Sequence, residues 1–189
     1  MHDERPTIPN EATIVDTPAG RRPAGDGWFV INAAEARWQA APGWGRKTDF
    51  EPDRPHWFPD FGINIHSLDP GERSTMYHSE ETQEDFLVLA GECLAIIEGE
   101  ERLLAQWDFL HCPPWTRHGF VGAGDGPCTI LMVGARRENR TERVEYPPEP
   151  AAQRHGAAVS EFTTSADEAY VGTPDYEDAP YRPGTLPGA

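Results

Sequence analysis

Two imidazoles and two carboxylates, His78, Glu80, Glu84 and His118, fall within the stretch from Gly71 to Gly122. Neutral imidazole nitrogen and carboxylate oxygen form the donor set of divalent iron, manganese, nickel or zinc, so the first expectation is a metal site. Alternation along a strand puts residues two apart on one face, which lets His78 and Glu80 point inward together. Glu84 lies four residues beyond Glu80 and reaches the same space after a bend or bulge. His118 follows Pro113-Pro114 and opens a different strand. Ligands on separate strands meet only where a sheet curls round on itself, as a small barrel does.

The elements that must position them read as short strands punctuated by turns. FGINIHSL ends at Asp69-Pro70-Gly71, and an approach strand leads to His78. DFLVLA turns at Gly91-Glu92 into CLAIIE, Gly99 turns the chain again, and RLLA leads into WDFLHC. After Pro113-Pro114, RHGFV resumes the ladder, GAGDGP makes a wide turn, and CTILMVGA is the last strand. DFLVLA and TILMV are apolar on both faces and need cover on both, from a second layer or a partner subunit. A homodimer is the expectation.

Long polar stretches at both ends of the 189 residues leave room for one domain. A domain of about 100 to 130 residues has a sizeable core. The 38% hydrophobic content and six tryptophans supply that core, while 19 prolines and 18 glycines imply many turns. Residues 1–26 read as a mobile arm, 27–136 as the barrel, and 137–189 as a linker, a short helix near 150–159 and an acidic disordered tail. Trp28-Phe29-Val30-Ile31 suits a first strand, and Ala33 to Ala40 a helical turn capped by Asn32.

Sixteen Lys and Arg against 32 Asp and Glu give a net charge of −16, a field that repels nucleic acid and anionic membrane. A small-molecule ligand is the partner that remains. Lys47 is the one lysine beside fifteen arginines, a bias read as genome composition. Cys93, Cys112 and Cys128 form no C-x-x-C pair and suit small apolar positions in strands. No signal peptide or spanning segment is evident, so a cytoplasmic location is expected.

The chemistry-bearing residues resemble the two motifs of the cupin superfamily, G-x5-H-x-H-x3,4-E-x6-G and G-x5-P-x-G-x2-H-x3-N. This chain reads Gly71-x6-His78-x-Glu80-x3-Glu84-x6-Gly91, then Trp107-x5-Pro113-x-Trp115-x2-His118-x3-Gly122. Glu80 stands in place of the second histidine, Trp107 and Trp115 in place of glycines, and Gly122 in place of the asparagine. The resemblance implies an all-β, double-stranded β-helix (jelly-roll) barrel with a divalent ion held among His78, Glu80, Glu84 and His118. It implies dioxygenase, isomerase or epimerase chemistry on a small polar molecule. The alternative is a metal-free, non-catalytic binding or sensory barrel, since some members have lost their metal.

If His78, Glu84 and His118 form a two-histidine, one-carboxylate set, Glu80 is either a fourth ligand or a general base with a raised pKa. His111 and Cys112 are rival ligands, adjacent in a strand so that only one can face inward. His66 alternates with Asn64 and could line the cavity. Phe86 and Val88 share the face of Glu84 and should narrow its floor. Arg73 and Arg117 flank the motifs and could hold a carboxylate or phosphate, though surface positions are the plainer reading.

Overall fold

The computed structural model describes residues 10–137 and 142–188. In chain order its elements are β1 (Thr13–Thr17), β2 (Gly20–Ala24), β3 (Trp38–Ala40), β4 (Arg46–Asp49), β5 (Phe61–Leu68), β6 (Ser79–Glu80) and β7 (Glu84–Ala90). They continue as β8 (Glu92–Ile97), β9 (Glu100–Ala105), β10 (Phe109–Cys112), β11 (His118–Ala123), β12 (Cys128–Ala135), β13 (Val144–Glu145), α1 (Pro150–Gln153), α2 (Ala166–Ala169) and β14 (Glu177–Ala179). The fold is all-β and antiparallel. A seven-stranded sheet runs β10-β7-β12-β5-β4-β3-β14 and faces a three-stranded sheet, β11-β8-β9. This is the jelly-roll arrangement in which two sheets close over one interior.

Pleating decides what fills that interior. On the large sheet the registers Phe86↔Met132↔Asn64 and Val88↔Ile130↔His66 set rows of side chains facing inward. On the small sheet His118 and Phe120 pair with Ile97 and Ala95. Leu68, Phe86, Val88, Phe120 and Ile130 form the central cluster with Cys93, Cys112 and Cys128, all three free thiols acting as compact apolar fillers. Burying one such aromatic or aliphatic side chain contributes about 1.5–3 kcal/mol.

The motif glycine at position 91 closes the hairpin between β7 and β8. Its φ of +70° lies in the left-handed region, and a Cβ there would sit 2.3 Å from the Pro127 carbonyl oxygen. Trp107 and Trp115, in the places of the motif glycines, keep the backbone those glycines would adopt, with φ of 76° and 70°.

Three sequence expectations need correction. Trp28 to Ile31 is not a strand: Trp28 makes one bridge to Glu11, and Val30 is exposed. Apolar β-formers become a strand only where a sheet edge awaits them, and although Phe29 and Ile31 are half-buried this run has no strand partner beyond that one bridge. Of the arm expected to be mobile, residues 1–9 lie outside the described residues, while β1 and β2 form a hairpin packed against Ala36 through the Arg21 to Glu35 and Arg37 to Arg21 backbone bonds.

The tail expected to be disordered is built in from residue 142 to 188. β14 extends the large sheet beside β3, Arg182 grips Asp69 through two bonds of 2.7 and 2.8 Å, and Tyr176 donates 2.5 Å to the Trp44 carbonyl. Its arginines find acids on the barrel, Arg154 with Glu101 and Arg182 with Asp69, Asp178 pairs with Arg37, and its tyrosines dock as anchors. The expected linker at 138–141 lies outside the described residues. The helix expected near 150–159 is α1, capped by Glu149.

The terminal segments also supply part of the cover that the two-sided strands require. Trp38, Thr48 and Ile65 share the outer row of the large sheet and are buried, Trp38 beneath Tyr181 at 5.7 Å. Farther along that row Leu87 and Leu131 stay half-buried and Phe109 is exposed. No helix among the described residues is long and apolar enough to cross a membrane.

Candidate metal centre

His78 and His118 meet as a cross-strand pair. Each backbone N–H donates to the other's carbonyl, at 3.0 and 2.8 Å, which brings the two imidazole centroids to 4.8 Å. Such a pair puts both side chains on one face. After Glu80 the chain bends at Glu81-Thr82 and enters β7, so Glu84 arrives from the opposite sheet, in register with Cys112 and Gly134. One ligand atom from each of His78, Glu84 and His118 lies within 4.8 Å of the others.

The ring orientations are fixed by the backbone. His78 Nδ1 sits 2.7 Å from the Met76 carbonyl oxygen and His118 Nδ1 3.0 Å from that of Thr116. A carbonyl can only accept, so both Nδ1 atoms carry the proton and both Nε2 atoms present a lone pair to the cavity. Burial lowers the pKa of His78, and burial reinforced by His78 lowers His118 to about 3, so both rings are neutral at ordinary pH. Burial, then the neighbouring Glu80, pushes Glu84 up to about 9. Two neutral imidazoles and a carboxylate that burial disfavours as an anion are what a divalent cation would complement. The donor set therefore fits such an ion.

Glu80 lines the same cavity. Its Oε1 is 3.8 Å from His78 Nε2, it is more open than Glu84 (24% against 14% of the side chain exposed), and it stands outside the group of three. The cavity has a volume of about 230 Å³. Phe86, Phe120 and Met132 form an apolar side, with Asn64, His66 and Thr75 along a polar wall. Val88 lies deeper, in the core.

The rival ligands separate by pleat. His111 faces outward, where its Nδ1 meets Asp85 at 2.7 Å. Cys112 faces inward as a buried thiol, held in the neutral form by burial and then by Glu84, and its sulfur is not part of the group of three. Neither Arg73 nor Arg117 lines the cavity: Arg73 stacks over Trp44 at 4.3 Å, and the Arg117 backbone N–H donates to Glu98.

The arginine that does line the cavity is Arg136, the last residue of the expected barrel and not among the expected site residues. It continues the inward series Ile130, Met132, Gly134, and that alternation is the signal that could have found it. Its guanidinium takes Glu51 through both oxygens and donates 2.8 Å to the Phe58 carbonyl. Gly62 makes room for it, since a Cβ there would lie 2.6 Å from Arg136 Nη2. Glu142 is a further acid at the same wall, with no sequence signal to mark it.

Residues 64–134 match the family model described as a cupin domain. That stretch runs from β5 to β12 and makes up most of the barrel, which is therefore similar to a cupin domain. Among solved structures, a sugar phosphate isomerase from a cupin superfamily of Silicibacter pomeroyi is 22% identical over 80% of this chain and 89% of its own, with a TM-score of 0.48. The polyketide cyclase RemF of Streptomyces resistomycificus is 19% identical over 59% of this chain and 81% of its own, with a TM-score of 0.49. A protein of Acidithiobacillus ferrooxidans, provisionally described as a sugar phosphate isomerase, is 23% identical over 55% of this chain, with a TM-score of 0.45; the match spans 65% of its own length. No curated protein matches the chain.

Proposed function

We propose that this cupin-like domain holds one divalent ion on His78 Nε2, His118 Nε2 and Glu84, and catalyses proton transfer on a small polar molecule bound in the cavity. The observation that carries the reading is the convergence of three ligand atoms within 4.8 Å, with both imidazole rings locked by backbone carbonyls. An ion held there would act as a Lewis acid toward a carbonyl or hydroxyl oxygen of the bound molecule. Iron, manganese, zinc and nickel all suit the donors.

The chain's own residues supply the rest. Glu80, beside His78 at the cavity wall, takes a proton from a carbon or hydroxyl of the molecule and returns it. Phe86 and Phe120 exclude water from one side, and Arg136, its charge matched by Glu51, forms a fixed polar part of the wall. Isomerase or epimerase chemistry follows more directly from a carboxylate base at the cavity wall than oxygenation does. The half-buried strip of Leu87 and Leu131 with the exposed Phe109 supports pairing with a second copy of the chain as part of the same proposal.

A test is wash-in of solvent deuterium into a panel of small hydroxyaldehydes and hydroxyketones, followed by NMR with metal-loaded protein. Glu80→Gln should slow exchange by about 100-fold or more, the span of a positioned general base. Equal rates in the variant and the wild type would remove Glu80 from the chemistry. A second reading has its own support: Glu84 is neutral without an ion and sits 3.3 Å from His118 Nε2, so the cavity also suits a metal-free binding barrel. Saturable ligand binding that is indifferent to added metal, with no exchange, would favour that reading.

A further inference from the structure

The chain's one lysine lies in a second cavity. Lys47 on β4 pairs across the ladder with His66 on β5, and its ammonium stands 4.2 Å from the centroid of the Tyr176 ring. The segment carrying Tyr170 and Tyr176 folds over it and is fastened by Tyr176 to the Trp44 carbonyl and by the Met76 N–H to the Tyr170 hydroxyl. The partly open space has a volume of about 360 Å³ and shares His66 and Thr75 with the metal cavity as a common wall.

Three of the polar side chains there lack hydrogen-bond partners. Twice as many acids as bases populate this chain, yet no carboxylate among the described residues forms an ion pair with Lys47. Ser74 Oγ and Trp44 Nε1 are buried without a hydrogen-bond partner, and so is His66 Nδ1. An ammonium, a hydroxyl and an indole N–H are all donors, and a buried donor left unpaired costs about 1–3 kcal/mol. Arg73, stacked at 4.3 Å over Trp44, adds a second cation behind the wall. The acid that lines the space, Asp175, is exposed. Lone donors around one cation call for an anion, and the walls are aromatic.

We propose that this cavity is a ligand site separate from the metal centre, and that it takes a small aromatic monocarboxylate. The carboxylate meets Lys47 Nζ and Ser74 Oγ, and the ring lies against Tyr170 and Tyr176. A single cation lining the space matches one negative charge better than the two of a phosphate. Burial, the largest influence on Lys47, lowers its pKa, with Asp49 acting against that and Arg37 with it; an arriving carboxylate raises it again.

The test uses the full chain with benzoate as probe. Because the chain has one lysine, selective nitrogen-15 lysine labelling gives one side-chain resonance. Benzoate should bind saturably by calorimetry, shift that resonance and raise its titration midpoint. Lys47→Met should weaken binding by about tenfold or more, the scale of a lost charged hydrogen bond. Ser74→Ala should weaken it less, and it serves as the second variant if Lys47→Met does not fold. His118→Ala should leave benzoate affinity unchanged, which separates this site from the metal centre. Overturning results are no saturable binding to wild type, full affinity in both Lys47→Met and Ser74→Ala, loss in His118→Ala, or inorganic phosphate binding as tightly as benzoate.

Discussion

Replacing Arg136 with leucine tests whether the cavity wall is held as described. The guanidinium spans Glu51 and the Phe58 carbonyl, with 7% of the Arg136 side chain and 14% of that of Glu51 exposed. Arg136→Leu strands the Glu51 carboxylate, with the Phe58 N–H at 2.9 Å as a remaining donor. Breaking one side of a buried pair costs about 3–5 kcal/mol. For a chain of this length each kcal/mol lowers Tm by about 2–4 °C, so a fall of about 10 °C is expected. Glu51→Leu alone should cost a similar amount, and the double variant should regain most of the loss, because a matched apolar pair is close to neutral. Urea and thermal denaturation of the four proteins completes the cycle. A loss under about 1 kcal/mol for Arg136→Leu, or a double variant as unstable as the sum of the singles, would refute the buried-pair reasoning.

Further consequences concern charge, backbone and assembly. In the folded, metal-free protein Glu84 titrates near 9 against an ordinary 4.5, so the unfolded chain holds fewer protons between those values and stability falls as pH rises through that window. Glu84→Gln should flatten that slope, and metal binding to wild type near neutrality should release about one proton, measured by calorimetry in buffers of different ionisation enthalpy. Trp107 has a φ of 76° with 66% of the residue exposed, so Trp107→Gly should raise the urea midpoint by relieving about 1 kcal/mol of left-handed strain. Phe109→Asp should dissociate a dimer seen by sedimentation, and a wild-type protein at its monomer mass of 21.0 kDa would remove the pairing proposal.

The site was legible in the sequence where motif spacing reflects local geometry. His78, Glu84 and His118 are brought together by turns, register and a tight glycine at position 91, all encoded within a few residues of each side chain. The Trp107 and Trp115 positions kept the glycine-like backbone because neighbouring strands fix it. Long-range packing was less legible. β14 joins β3 from far along the chain, Arg182 reaches back to Asp69, and Tyr176 roofs a cavity over Lys47. Composition averages such anchors away, so the acidic segment read as unstructured and the lone lysine as a statistical accident. Arg136 lay between the two cases, visible by alternation but hidden by its charged neighbours.

The most direct measurement is metal content after anaerobic reconstitution, taken on wild type and on His78→Ala, Glu84→Gln and His118→Ala, with circular dichroism to confirm the barrel in each. Near one equivalent of a divalent ion per wild-type chain, lost in each variant, is the expected result. Wild type that takes up no ion, or variants that retain a full equivalent, would contradict the metal centre.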